Sequence, residues 1–300
     1  MKSKFGEINR KIVIYSTGSV MILILLILIY YFILKKTFLI NKSSLVSSLI
    51  QLKDLSYAII GTDNKIYTSI NLKTLTPLKT PPLGVPTMLY QSQETSLISC
   101  VMKDGSVYSS PNFITWTKSP STSNVKFITQ LFCKTSNSIC YFIIININNM
   151  STVFWSSQDI TNPKWNEFST FYTGQGSINN IINANSIYYL NLQDGSSPFY
   201  AVVDILGNAF VTRKVSAGIN GWQMVQGNTP VISQFVMYNT LTYAVSLDGR
   251  IIYTKGDSLY GPPTWKQSKI STIIPKQLVI LQDNKALLVS ITGNIYKIKI

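Results

Sequence analysis

"VYSSPNFITW", residues 107–116, joins a short strand to a polar turn and a tryptophan that opens the next strand. Whether it is a lone hairpin or one unit of a series decides the fold. The same phrase recurs along the chain. It reads "YAIIGTDNKIYTS" from Tyr57, "LISCVMKDGSVYSS" from Leu97, "YFIIININNMSTVFWSS" from Tyr141, "FYAVVDILGNAFVTR" from Phe199, "TYAVSLDGRIIYTK" from Thr242 and "ALLVSITGNIYKIKI" from Ala286. The position a few residues after each turn (Tyr67, Tyr108, Phe154, Phe210, Ile252, Tyr296) recurs at intervals of 41 to 56 residues. Asp-Asn, Asp-Gly and Gly-Asn supply the positive-φ positions of a two-residue hairpin turn. The flanks alternate or run apolar, as strands do. In four copies a tryptophan follows (Trp116, Trp165, Trp222, Trp265), and in the first Leu75 and Leu78 stand there.

An all-β period of about 40–50 residues with about four strands per unit marks propeller blades. A β-sandwich gives no such regular spacing, and a β-helix repeats over much shorter stretches. The second unit predicts strands at 86–92, 96–103, 106–110 and 115–119. The expected fold class is an all-β, six-bladed β-propeller over residues 56–300. Seven blades is the alternative, because the longest step, with "NLQDGSSP", has room for another hairpin. The last copy stops after its third strand, and "TFLIN" (37–41) is placed to supply the fourth.

Ahead of the repeats, residues 12–34 carry no charge and end at Lys35 and Lys36. As a helix they would span about 34 Å, enough for a hydrocarbon core of about 30 Å. Tyr30 and Tyr31 sit near one end, as interfacial aromatics do. No small-residue cleavage site follows, so the reading is an uncleaved anchor rather than a signal peptide. The expected organisation is a basic tail (1–11), a single transmembrane helix (12–34), a juxtamembrane segment with a candidate ring-closing strand (35–55), and the propeller. Flanking charge leans towards a cytosolic tail and a lumenal, extracellular or virion-associated C-terminal domain. In that compartment Asn41 and Asn149, each in an N-x-S sequon, are candidate glycosylation sites, and Cys133 and Cys140 a candidate disulfide.

Composition excludes more than it assigns. The net charge is +14, but the lysines are scattered and only three arginines occur, so no nucleic-acid groove is expected. No histidine is present, which removes Ser-His-Asp and Cys-His nucleophilic systems and the commonest metal ligand. Cys100, Cys133 and Cys140 are too few for a four-cysteine zinc site. No phosphate-binding glycine loop occurs. No catalytic residue, cofactor or metal is expected.

"VYSSPNFITWTKS" resembles the Asp-box, or BNR, repeat of sialidase-like propellers, approximately S-x-D-x-G-x-T-W after a strand. "FWSSQDITNPKWNEFS" (Ser157, Asp159, Trp165) and "IYTKGDSLYGPPTWKQS" (Asp257, Thr264, Trp265) are similar. Asn112 replaces the box aspartate in the first of these. In that family the box stabilises a turn on the blade periphery, so the resemblance implies fold. A sialidase would need three arginines on its substrate's carboxylate, and outside the N-terminal tail this chain has only Arg213 and Arg250. Among eleven acidic residues beyond Glu7, Asp63, Asp104 and Asp248 fall in hairpin turns, which leaves little for a glycosidase carboxylate pair. The expected function is a membrane-anchored, non-catalytic scaffold that binds a protein partner, of the kind a viral envelope or surface protein would use. A glycan-binding lectin or degenerate glycosidase is the alternative. Trp155 departs from the tryptophan register and is the candidate exposed contact.

Overall fold

Five times the chain lays down four antiparallel strands in order, each pairing with the next. The first such blade is β2 (Val46–Gln51), β3 (Tyr57–Gly61), β4 (Ile66–Ser69) and β5 (Thr76–Pro77), preceded by the separate strand β1 (Thr37–Asn41). The second is β6 (Pro86–Gln91), β7 (Ile98–Met102), β8 (Val107–Ser110) and β9 (Thr117–Lys118). The third is β10 (Ile128–Ser136), β11 (Ile139–Asn148), β12 (Ser151–Ser157) and β13 (Asn166–Tyr172). The fourth is β14 (Ala184–Leu190), β15 (Phe199–Asp204), β16 (Ala209–Thr212) and β17 (Gln223–Met224). The fifth is β18 (Ile232–Tyr238), β19 (Leu241–Ser246), β20 (Ile251–Lys255) and β21 (Lys266–Gln267). A further four-stranded sheet is composite: β22 (Pro275–Ile280), β23 (Ala286–Ser290) and β24 (Ile295–Ile298) are completed by β1, which pairs antiparallel with β24. The computed structural model describes residues 20–25, 37–42, 45–91, 96–120, 128–136, 139–148, 151–157, 164, 166–172, 184–190, 199–204, 206–213, 221–226, 229–267, 273–281 and 285–298.

The first strands β2, β6, β10, β14, β18 and β22 pack against one another in turn, and β22 returns to β2. That closed inner ring makes the fold a β-propeller. Strand character follows position in the blade. Second strands are covered by both flanking strands and both neighbouring blades, so β7 (ISCVM), β15 (FYAVVD) and β23 (ALLVS) are buried at every residue and read as unbroken apolar runs. Fourth strands lie at the rim, where β5, β9, β17 and β21 are two residues long and exposed. Such short edges offer little to edge-to-edge pairing. The core lies between blades. Val46, Leu49 and Ile59 pack on Leu287, Val289 and Ile295, which joins the first blade to the composite sheet. Ala58, Ile60 and Ile66 meet Leu89, Cys100 and Met102 across the next interface.

The expected fold class does not stand as written, and neither does the expected localisation. Among the described residues of 12–34, residues 20–25 are helical. No helix among the described residues is long and apolar enough to cross a membrane. The single-pass anchor, and the lumenal or virion-associated topology derived from it, are withdrawn; the rest of 12–34 lies outside the described residues. The blades made from unbroken runs of four strands number five, and the composite sheet is the remaining one. The propeller also starts earlier than residue 56, because β1 and β2 are both sheet strands.

The hairpin turns differ too. Gly105 N–H donates to Met102 O (2.9 Å) and Met102 N–H to Ser106 O (2.8 Å), which leaves three residues in the loop. The turns at 204–208, 246–250 and 290–294 repeat both bonds. The last loop residue takes positive φ, at Asn64, Gly105, Gly207, Gly249 and Gly293. These are three-residue loops ending in a left-handed residue, not two-residue turns.

Candidate functional site

In an antiparallel four-strand meander, the turn between strands two and three shares one end of the blade with the connection to the next blade. The turns between strands one and two, and three and four, share the other. The propeller therefore has a hairpin face and an opposite face, and the two are built differently.

On the hairpin face the residue just before β18, and the one just before β22, meets the hairpin of the preceding blade. A Cβ added to Gly207 would come within 2.2 Å of Val231 Cγ1, and one on Gly249 within 2.7 Å of Ile274 Cγ2. Backbone bonds continue the belt: Leu247 N–H to Val231 O (2.8 Å), Ile291 N–H to Ile274 O (3.1 Å), Val46 N–H to Gly293 O (3.3 Å) and Thr62 N–H to Leu45 O (2.6 Å). Of the side chains so aligned, Leu206, Val231, Leu247, Ile274, Ile291 and Leu45 are apolar and 37–60 % exposed, while Thr62 brings a hydroxyl to the first blade's position. They lie in order along an arc across the fourth and fifth blades, the composite sheet and the first blade. Single exposed apolar residues are ordinary on a protein surface, whereas a contiguous set marks an interaction site.

The inner strands enter the channel from this face. Each described inner strand of the first, second and fifth blades and the composite sheet has a register shift after its first residue, so Ser47, Thr87, Ser233 and Lys276 are the extra residues of bulges. Thr87 and Ser233 donate their hydroxyls to Val101 O (3.1 Å) and Val245 O (3.0 Å) of their own blades. Lys276 Nζ reaches across to Ser47 Oγ at 2.9 Å. Desolvation pulls the pKa of this ammonium below the ordinary lysine value. The residues after the bulge stitch the ring together. Gln234 accepts from Leu278 N–H (2.9 Å) and donates to Leu278 O (3.1 Å). Gln277 does the same with Leu49, at 3.0 and 3.1 Å.

Two cations elsewhere on the hairpin face lie beside a carboxylate of their own turn. Arg250 grips Asp248 (Nε to Oδ2, 2.7 Å), and this bond, with one from Ser246, pulls the carboxyl down to about 2. Lys65 lies 3.7 Å from Asp63, whose pKa is lowered chiefly by the Tyr67 hydroxyl at 2.6 Å. Asp104 is lowered by hydrogen bonds from Ser106, with Lys118 contributing. These three carboxylates are ionised and committed to their turns, as the sequence suggested.

The opposite face carries the turns between third and fourth strands. Asn112 Oδ1 accepts from Ile114 N–H (2.9 Å) and Thr115 N–H (3.2 Å), with Phe113 at φ 64°. The first blade repeats this device, because Asn71 Oδ1 accepts from Lys73 and Thr74 with Leu72 at φ 64°. That copy escapes a search for the tryptophan, since Leu75 stands in its place. A cavity of about 460 Å³ beside these turns is lined by Asp54, Ser69, Asn71, Thr74 and Phe113. Its polar groups serve local backbone, with Asp54 accepting from Ser56 N–H (3.0 Å) and Oγ (2.6 Å).

The residues singled out from sequence do not converge. Arg250 lies on the hairpin face, while Arg213 follows β16 on the opposite face, 5.0 Å over the Tyr260 ring. Asn41 is buried at the end of β1 and donates its amide to Leu72 O and to Lys73 O (3.5 Å), a packing role that a glycan would displace. Asn149, Asp159 and Trp165 lie outside the described residues. Trp155 lies on β12, next to a register shift, with a side chain outside those described. In the β10–β11 ladder Cys133 faces Phe142 and Cys140 faces Thr135, so the two are not direct partners; whether they bond falls outside the described side chains. Trp222 is buried, and Trp116 and Trp265 pack against blade cores. The apolar arc and the glutamine bonds were missed in the sequence. A signal existed for both: an aliphatic residue just before the inner strand in four units, and glutamine two residues into β18 and β22.

No family model and no curated protein matches this chain. Solved structures do. YCF48 from Cyanidioschyzon merolae is 13% identical over 81% of this chain and 79% of its own, with a TM-score of 0.50. A streptogramin B lyase is 13% identical over 85% and 78%, at 0.53. BBS1N in complex with ARL6DN is 11% identical over 85% and 91%, at 0.51. At these identities the likeness is one of fold, and the fold is the β-propeller.

Proposed function

We propose that this chain is a non-catalytic β-propeller that binds a protein partner through its hairpin face. The observation that carries the reading is the exposed apolar arc from Leu206 to Leu45 around the channel mouth. A rigid ring with function in its loops suits a docking role. Two propellers of similar fold were solved with such partners, YCF48 bound to D1 peptide and BBS1N with ARL6DN. The absence of histidine from the chain, the separation of Arg213 from Arg250, and carboxylates engaged in turns all weigh against catalysis. The glycan alternative loses support because the three tryptophans with described side chains serve packing. The turns at Asn71 and Asn112 are read as degenerate Asp-box copies with a structural role.

The test replaces Leu247 and Ile291 together by Asp in the tagged full chain and purifies it from its native source. A protein that co-purifies with the parent is expected to be lost from this variant and retained by Ile114→Asp on the opposite face. Retention by the arc variant with loss from Ile114→Asp overturns the proposal, provided both variants melt like the parent.

A further inference from the structure

We propose that the partner segment carries an acidic side chain flanked by aliphatic residues, and that its carboxylate enters the channel mouth to pair with Lys276. This deepens the docking reading above and rests on it. Lys276 stands two residues beyond Ile274 of the arc, about 7 Å along the strand. An acidic side chain at that depth would therefore have apolar rim on either side for its neighbours. The chemistry of the mouth selects the sign. Asp248 and Asp63 hold Arg250 and Lys65, whereas the hydrogen-bond partner of Lys276 is the neutral Ser47 hydroxyl. Ion pairs among the described residues do not include Lys276. Of the other bulge side chains that are described, Thr87 and Ser233 are hydroxyls that donate to their own blades and carry no charge. One exposed ammonium bordered by apolar residues is matched by a carboxylate and penalises a cation.

The probe is a phage-displayed random dodecapeptide library panned on the immobilised full chain. Selected peptides are expected to place Asp or Glu beside aliphatic residues. Lys276→Met is expected to weaken them roughly tenfold to a hundredfold, as loss of a charge-assisted bond would. Lys276→Arg should retain binding, which separates loss of charge from misfolding, and Lys276→Glu should select basic peptides instead. Peptides without acidic enrichment, abolished by Leu247→Asp but indifferent to Lys276→Met, overturn this inference and leave the docking reading standing. Absence of any peptide sensitive to Leu247→Asp with Ile291→Asp overturns both.

Discussion

Gln277 does more for the ring than its place in an inner strand suggests. Its amide satisfies both polar groups of Leu49 in the next blade, on the edge of β2 that no further strand of its sheet covers. Gln277→Ala is expected to cost about 1–3 kcal/mol, read as a lower denaturant midpoint with unchanged slope. Asp248 gives a pH signature. Its folded pKa of about 2 lies below the unfolded value near 3.9, so its contribution is complete above about pH 4. It is lost as pH falls through about 2, and Asp248→Asn should remove that share of the acid sensitivity. Both side chains of the pair are about half exposed, so the effect is small. Burial pushes the Cys100 thiol up to about 12, so peptide-level mass spectrometry should find it unmodified by thiol reagents until the chain unfolds. Of these roles, that of the hairpin aspartates could be read from sequence, since Asp-Gly states its own local geometry. Gln277 left only a faint signal, its place two residues into the inner strand shared with Gln234, because its partner is 228 positions away.

The hairpins show how far pattern reading reaches along one element. Each was located correctly, and the strands of the second blade were placed to within two residues. The loop length was not, because Asp-Gly suits both a two-residue turn and a three-residue loop ending in a left-handed glycine. The backbone bonds of the strands decide between them. The glycine is then required twice, by φ and by the neighbouring blade. Gly249→Ala would hold alanine at φ 86° and press its Cβ on Ile274, costing about 1–2 kcal/mol. Gly207→Ala should cost more, since its Cβ would also come within 3.0 Å of Ile232 O, which cannot yield as a side-chain tip can. In the opposite-face turn, Asn112→Ala gives up two backbone bonds, whereas Asn112→Asp keeps both acceptors. Thermal melting should therefore fall for alanine and hold or rise for aspartate.

The whole ring depends on a contact that joins the two ends of the described chain. β1 pairs with β24, and Asn41 carries the joint on to Leu72 of the first blade. Removing residues 1–41 should expose the β24 edge and lower the melting temperature, while removing 1–36 should leave the ring's melting unchanged. The repeat made this closure legible, because a unit lacking its fourth strand asks for one from elsewhere. The reading of 12–34 as a membrane span rested on hydropathy alone, and no helix among the described residues is long and apolar enough to support it. The arc was least legible, because it gathers one or two residues from each of four sheets and its only mark in a repeat is one aliphatic residue before the inner strand. The hairpin-face claim is tested most directly by a photo-crosslinking residue placed at Leu247 or at Ile114 in the full chain within its native cell. A discrete protein adduct at 247 with none at 114 is expected. Adducts at 114 alone, or equally at both, would contradict it.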